Sequence, residues 1–222
     1  MARSRALPIQ PFMDLYTNWP DNEILDLHRL RSKSLTLLAI VCMLRPSDVA
    51  PGAEMFDVET ETTKRFEFTV SDVVFETDHM SISLHGIKND YTRRGYNITV
   101  PKASDPKVCP VLALQSYISR TQSLRDGTNN HVFISLKKPH QGLTVQSISN
   151  ILTGSIKSAG LKGTAKDFRP TGATSAMQAG IPEVAVMKVG RWRSADVFRE
   201  HYVHYKASQD YTNKVLGISQ SD

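Results

Sequence analysis

An arginine, a tryptophan and a tyrosine fall within one stretch, Lys166 to Tyr202 (KDFRPTGATSAMQAGIPEVAVMKVGRWRSADVFREHY), at Arg169, Trp192 and Tyr202. A guanidinium neutralises phosphate oxygens, an indole N–H donates to one, and a phenol can attack phosphorus, so the three types together suit transfer of a phosphodiester to a tyrosine. Each alone also reads as an ordinary residue: a solvated helix arginine, a packing tryptophan, a surface phenol. Two upstream segments offer further cations. Arg45 in LRPSDVA sits between an apolar helical run and Pro46, with Asp48 three residues on as a charge-assisted partner for its guanidinium. Lys88, Arg93 and Arg94 lie in GIKNDYTRRG, bracketed by Gly86 and Gly95. From such a loop a lysine reaches a nucleic-acid backbone as a mobile point charge and an arginine as a fork. The bland readings are a helix-end ion pair for Arg45 and solubilising charge for the loop.

The elements that must position these groups follow from periodicity. Residues 1–20, with Pro8, Pro11, Pro20 and Trp19, read as an extended arm leading to a short amphipathic turn. A helix is predicted from about Asp26 to Met43, with Leu27, Leu30, Ser34, Leu37, Leu38 and Val41 along its apolar side. After Pro51 the period changes to two: Phe66, Phe68 and Val70, then Val73 to Phe75, then Met80, Ile82 and Leu84, and finally Tyr96, Ile98 and Val100 predict a small antiparallel sheet. Pro110 opens a helix carrying Val111, Leu114 and Ile118. Gln122 to Asn130 reads as a loop and His131 to Ile134 as a short buried extension. Thr144 is placed to cap a helix bearing Ile148, Ile151, Leu152 and Ile156, which Gly160 and Gly163 end. Three short helical segments then carry the stretch from Lys166 to Tyr202, and the polar residues after Lys206 form a last short helix or tail.

Composition bounds the class. The 222 residues are 40% hydrophobic and 22% charged, an ordinary globular balance with room for one good core. A net charge of +5 and a pI near 9.2 fit a polyanionic partner without requiring one. Cys42 and Cys109 are far apart and suggest neither a zinc site nor a disulfide framework, and the seven histidines show no metal-ligand spacing on one helix. Nothing approaches a twenty-residue apolar span, so no membrane segment is expected.

In order and spacing the motifs resemble the catalytic domain of tyrosine recombinases, the phage-integrase family, with a likeness to the crypton and retroelement branch. LRPSDVA resembles the segment around that family's first catalytic arginine, giving Arg45 with Asp48 as its supporting acid. Lys88 falls in the loop between strands where the family carries its lysine. KDFRPTGAT resembles the His-x-x-Arg motif, giving Lys166 and Arg169, VGRWRS the His-or-Trp motif, giving Trp192, and HYVHY the nucleophile region, giving Tyr202. VCPVLALQSYISRT and HVFISLKKP also read like family sequence. The similarity spans 24–205, the catalytic domain, with 1–23 an arm or linker remnant and 206–222 a tail. It implies an α+β fold, mainly helical with a small antiparallel sheet, closed around double-stranded DNA. It implies a further N-terminal helical domain, for which 1–23 is too short, and self-association on DNA as a synaptic tetramer. A recombinase of this kind works with its DNA, in the nucleus of a eukaryote or otherwise in the cytoplasm.

The implied activity is site-specific breakage and rejoining of DNA through a 3′-phosphotyrosyl intermediate, with no metal or other cofactor. Arg45 and Arg169 would neutralise the transition state, Lys88 would protonate the leaving 5′ oxygen, and Trp192 would donate to phosphate and pack the nucleophile helix. Arg93, Arg94, Lys166, Arg191 and Arg193 are the further DNA-binding candidates. Two features depart from the pattern. Lys166 stands where the family has histidine, and an ammonium with a reference pKa near 10.4 accepts no proton until it has lost one. The interval from Trp192 to Tyr202 is one residue longer than is common, and Tyr205 and Tyr211 lie close by, so the nucleophile is Tyr202 or, in another register, Tyr205 or Tyr211. The departures leave two further readings: a DNA-binding protein descended from such an enzyme, impaired or domesticated, and an interaction protein that binds no DNA.

Overall fold

A computed structural model describes residues 5–52, 54–57, 62–65, 67–85, 95–125 and 129–202. Lys88, Arg93, Arg94, Tyr205 and Tyr211 lie outside the described residues. The architecture is α+β: helices α1 (Gln10–Thr17), α2 (Leu27–Val41), α3 (Pro110–Arg120), α4 (Val145–Ser158), α5 (Phe168–Gln178), α6 (Glu183–Gly190) and α7 (Ala195–Tyr202) surround a core flanked by short strands.

Helix α2 is the centre of that core. Asp26 caps it by accepting the Arg29 N–H at 3.0 Å, and α3, α4 and α5 all pack on it. Contact on several sides explains why Leu30, Leu35, Leu37, Leu38 and Ala39 are all buried, a nearly all-round burial wider than one amphipathic stripe. Each such leucine contributes on the order of 2 kcal/mol from burial. Val41, predicted on the apolar side, faces outward in the last turn at 42% exposure.

The N-terminal prolines do not make an extended arm. Pro11 occupies the first turn of α1, where its missing N–H costs no helical bond, and Phe12 and Tyr16, one turn apart, are fully buried. The Phe12 ring lies 5.5 Å from that of Phe168 at the start of α5, so this segment is part of the core.

The sheet is split. Strands β1 (Glu54–Asp57) and β2 (Thr62–Arg65) form one antiparallel pair, and β3 (Val73–Phe75), β4 (His79–Leu84) and β5 (Tyr96–Pro101) form a three-stranded antiparallel sheet with Ile82 opposite both Val73 and Ile98. Met80, Ile82, Leu84, Ile98 and Val100 point to the core, as the alternation predicts. The alternation at Phe68 and Val70 does not give a strand. Phe68 is buried, Thr69 bridges to His131, and Val70–Asp72 turn as a 3-10 segment whose Asp72 accepts the Thr69 N–H at 2.8 Å.

Pro110 opens α3 as predicted, and Tyr117 stacks on Phe133 with ring centroids 5.8 Å apart. Val132, Phe133 and Ile134 form the buried extension. Thr144 caps α4 by accepting the Ser147 N–H at 3.2 Å, and Gly160 follows the helix in the left-handed region at φ 71°. Among the described residues no helix is long and apolar enough to cross a membrane.

Candidate active site

Three separate stretches meet at the end of α2. Beyond that helix the chain turns through Met43, at φ 51°, into the 3-10 turn Pro46–Asp48. Asp48 is buried, and its Oδ2 accepts the Arg45 N–H at 2.8 Å, closing the turn that presents Arg45. Arg45 itself is half-buried. Pro46 fixes the preceding residue in extended backbone, φ −89° and ψ 154° at Arg45, as its position before a proline predicts.

Helix α5 brings Arg169 to the same place. The helix approaches α2 closely: a Cβ on Gly172 would lie 2.1 Å from the Ile40 carbonyl oxygen, so only glycine allows this spacing. Arg169 is buried, at 3% exposure, and its guanidinium donates to the Met43 carbonyl at 2.6 Å and to the Gly190 carbonyl. One planar fork thereby joins the ends of α2 and α6. Lys166, three residues earlier, is exposed, whereas its neighbour Asp167 is buried and accepts the N–H groups of Thr164 at 2.7 Å and Arg5 at 2.9 Å.

The third stretch is the turn between α6 and α7. The Trp192 ring lies 4.1 Å from the Arg169 guanidinium carbon, a cation–π contact, and 4.7 Å from the ring of Phe198 on α7. A Cβ on Gly190 would stand 1.7 Å from Trp192 Cζ3, so the indole occupies space that only glycine leaves. Phe198 is fully buried and anchors α7 against Met43, Ala173 and Val186. Tyr202 is the last residue of α7, about one turn beyond Phe198.

The structure thus brings Arg45, Arg169, Trp192 and the helix that ends at Tyr202 around one chain segment, Met43 to Asp48. Lys166 and Arg193 lie on the surface close in sequence to that cluster. Arg191 does not. Expected at a DNA surface, it is buried, and its Nη2 pairs with Asp48 Oδ2 at 2.9 Å. Asp48 therefore holds the Arg45 turn through the backbone and gives its ion pair to Arg191, where the sequence suggests the Arg45 guanidinium. Burial presses the Arg191 pKa below the usual arginine range, Asp48 and Cys42 oppose that shift, and the like charge of Arg45 adds to it. Burial also pushes the Cys42 thiol up to about 12, leaving it inert. Gly190 and Gly172 are close-approach positions beside the candidate site that the sequence reading missed. A glycine directly before Arg-Trp is the one local signal for the first, and nothing local signals the second.

The sequence matches no protein-family model and no curated protein. Solved structures share the fold. XerH site-specific recombinase bound to difH substrate is 14% identical with a TM-score of 0.64, covering 98% of this chain and 55% of that one. XerA recombinase is 16% identical with a TM-score of 0.64, covering 97% and 65%. The Tn1549 transposon integrase in complex with transposon right end DNA is 17% identical with a TM-score of 0.57, covering 98% and 66%. The chain therefore spans between about half and two thirds of the length of these structures, and it has the fold of a tyrosine-recombinase catalytic domain.

Proposed function

We propose that the chain is the catalytic portion of a DNA-breaking and rejoining enzyme that acts through a 3′-phosphotyrosyl intermediate. The observation that supports this most is the meeting of Arg45, Arg169 and Trp192, from stretches 124 and 23 residues apart in sequence, beside the helix that ends at Tyr202. Two guanidinium groups offset charge on the non-bridging oxygens as the Tyr202 phenol gives up its proton to water, its oxygen bonds to phosphorus and the bond to the 5′ oxygen breaks. Lys88 gives its proton to that leaving oxygen, and Trp192 holds the position of the nucleophile helix. Attack by the 5′ hydroxyl of another strand reverses the step and joins new partners, so strand exchange needs no metal. Lys166 and Arg193 contact the phosphate backbone, and copies of the chain assemble on DNA as a synaptic tetramer.

The exposed Lys166 favours a second reading: a DNA-binding descendant that lacks a proton acceptor at this position. A covalent-trapping assay on nicked suicide duplexes, drawn from the flanks of the encoding locus, separates the two. A protein–DNA adduct whose nucleotide remnant maps to Tyr202 supports tyrosyl transfer. A remnant on Tyr205 or Tyr211 moves the nucleophile, and salt-sensitive binding with no adduct supports the descendant.

A further inference from the structure

We infer that Arg191 is a positioning residue, resting on the tyrosyl-transfer reading above: its side chain locks the turn that presents Arg45 to the turn that presents Trp192 and α7. The Arg191 and Asp48 side chains are 2% and 1% exposed, too deep to meet DNA. Nη2 lies 2.9 Å from Asp48 Oδ2, the same oxygen that accepts the Arg45 N–H at 2.8 Å. Nη1 donates to the Cys42 carbonyl at 3.3 Å and to the Val189 carbonyl at 3.2 Å, and Nη2 also reaches the Met43 carbonyl at 3.4 Å. One guanidinium therefore pins residues 42, 43 and 48, and through Asp48 the backbone of Arg45, to the end of α6.

Two further observations set this pair apart from ordinary core packing. Arg191 caps α6 in the left-handed region, φ 61° and ψ 42°, and Met43 across the contact is at φ 51°. A glycine would adopt either conformation more readily, so arginine at this cap is kept for its side chain. The pair is also incompletely satisfied: Arg191 Nε and Asp48 Oδ1 have no hydrogen-bond partner among the described residues. A buried pair of that kind is a poor source of stability, which two apolar residues of similar volume would supply as well. What apolar residues would not supply is the directional link between Arg45 and the residue that follows Arg191, which is Trp192.

The test uses the full chain carrying Trp19→Phe, which leaves Trp192 as the single indole. In that parent, Arg191→Met is combined with Asp48→Asn, removing both charges while an amide oxygen remains to accept the Arg45 N–H. Melting temperature, salt-sensitive DNA affinity, Trp192 emission and the single-turnover rate of adduct formation at saturating DNA are measured together. The expected result is a folded variant with parental DNA affinity, shifted Trp192 emission and adduct formation slowed about a hundredfold. A folded variant that forms adduct at the parental rate overturns the inference. Should the double variant fail to fold, Arg191→Lys carries the test, since it keeps the charge and loses the fork; the same slowing is expected, and a parental rate again overturns the inference. If the parent itself forms no adduct, the tyrosyl-transfer reading fails on its own, and Trp192 emission decides whether Arg191 positions this turn: unchanged emission in both variants overturns it.

Discussion

Replacing Gly190 with alanine tests how the indole of Trp192 is held over Arg169. The new methyl would stand 1.7 Å from Cζ3, 2.3 Å from Cε3 and 2.6 Å from Cη2 of the indole. Carbon atoms in contact rest about 3.5–4.0 Å apart, so the ring must retreat by roughly 2 Å or swing out of its site. Either movement breaks the 4.1 Å contact with Arg169 and the 4.7 Å pairing with Phe198. A desolvated cation–π contact is worth about 2 kcal/mol and an aromatic pair about 1 kcal/mol. Against this stands the helix propensity of alanine over glycine, at most about 1 kcal/mol and less at the last position of α6. The balance is a loss of about 2 kcal/mol, read from urea unfolding midpoints. A double-mutant cycle with Trp192→Ala isolates the cause. Without the indole there is nothing for the methyl to strike, so Gly190→Ala should then be neutral or slightly stabilising. An equal penalty with and without Trp192, or no penalty in the native background, would refute the reasoning.

Three further outcomes follow from the same geometry. Tyr202→Phe should abolish covalent capture of nicked duplexes while salt-sensitive DNA binding persists; capture at the native yield would remove Tyr202 from its role. Lys166→His should raise cleavage near neutral pH, because imidazole has a lone pair to offer there and an ammonium does not; an unchanged or lower yield would mean that the site is built around lysine. Lys33→Met should stabilise the fold by about 1 kcal/mol near neutral pH, since the Lys33 ammonium is buried and its hydrogen bond among the described residues is to the neutral Asn22 Oδ1. Burial, reinforced by Lys107 and opposed by Asp105, Asp21 and Glu23, lowers the Lys33 pKa in the folded state. The penalty is then complete below that lowered value and fades as pH climbs towards the unfolded value, about 10.4, so the advantage of methionine should shrink in alkaline urea titrations.

The elements that the sequence made legible were those whose local signals agree. Thr144 followed by an apolar period and then Gly160 marks both ends of α4, and Met80, Ile82 and Leu84 against Ile98 and Val100 mark a half-buried sheet. Where a local signal points two ways, tertiary packing decides. Pro11 suits an extended arm or a first helical turn, and burial of Phe12 against Phe168 selects the helix. Phe68 and Val70 alternate as a strand would, but Asp72 offers the Thr69 N–H a side-chain acceptor and a 3-10 turn forms instead.

At the candidate site, residue types were legible and pairings were not. Arg45, Arg169, Trp192 and Tyr202 stand out as candidates because their types suit phosphate chemistry and their order resembles that of the tyrosine-recombinase motifs. The carboxylate that supports them chose its partner by burial. Asp48 lies three residues from Arg45 and 143 from Arg191, yet the ion pair runs to Arg191, because a turn closed by Asp48 accepting its own N-cap amide directs the carboxylate inward, where the guanidinium from the end of α6 arrives. A charge buried that deeply needs a partner fixed in place, whereas the half-buried Arg45 stands nearer the surface. Three arginines thus surround one chain segment: Arg191 neutralises Asp48, Arg169 holds two carbonyls beneath Trp192, and Arg45, on the turn that Asp48 closes, would join Arg169 in facing phosphate.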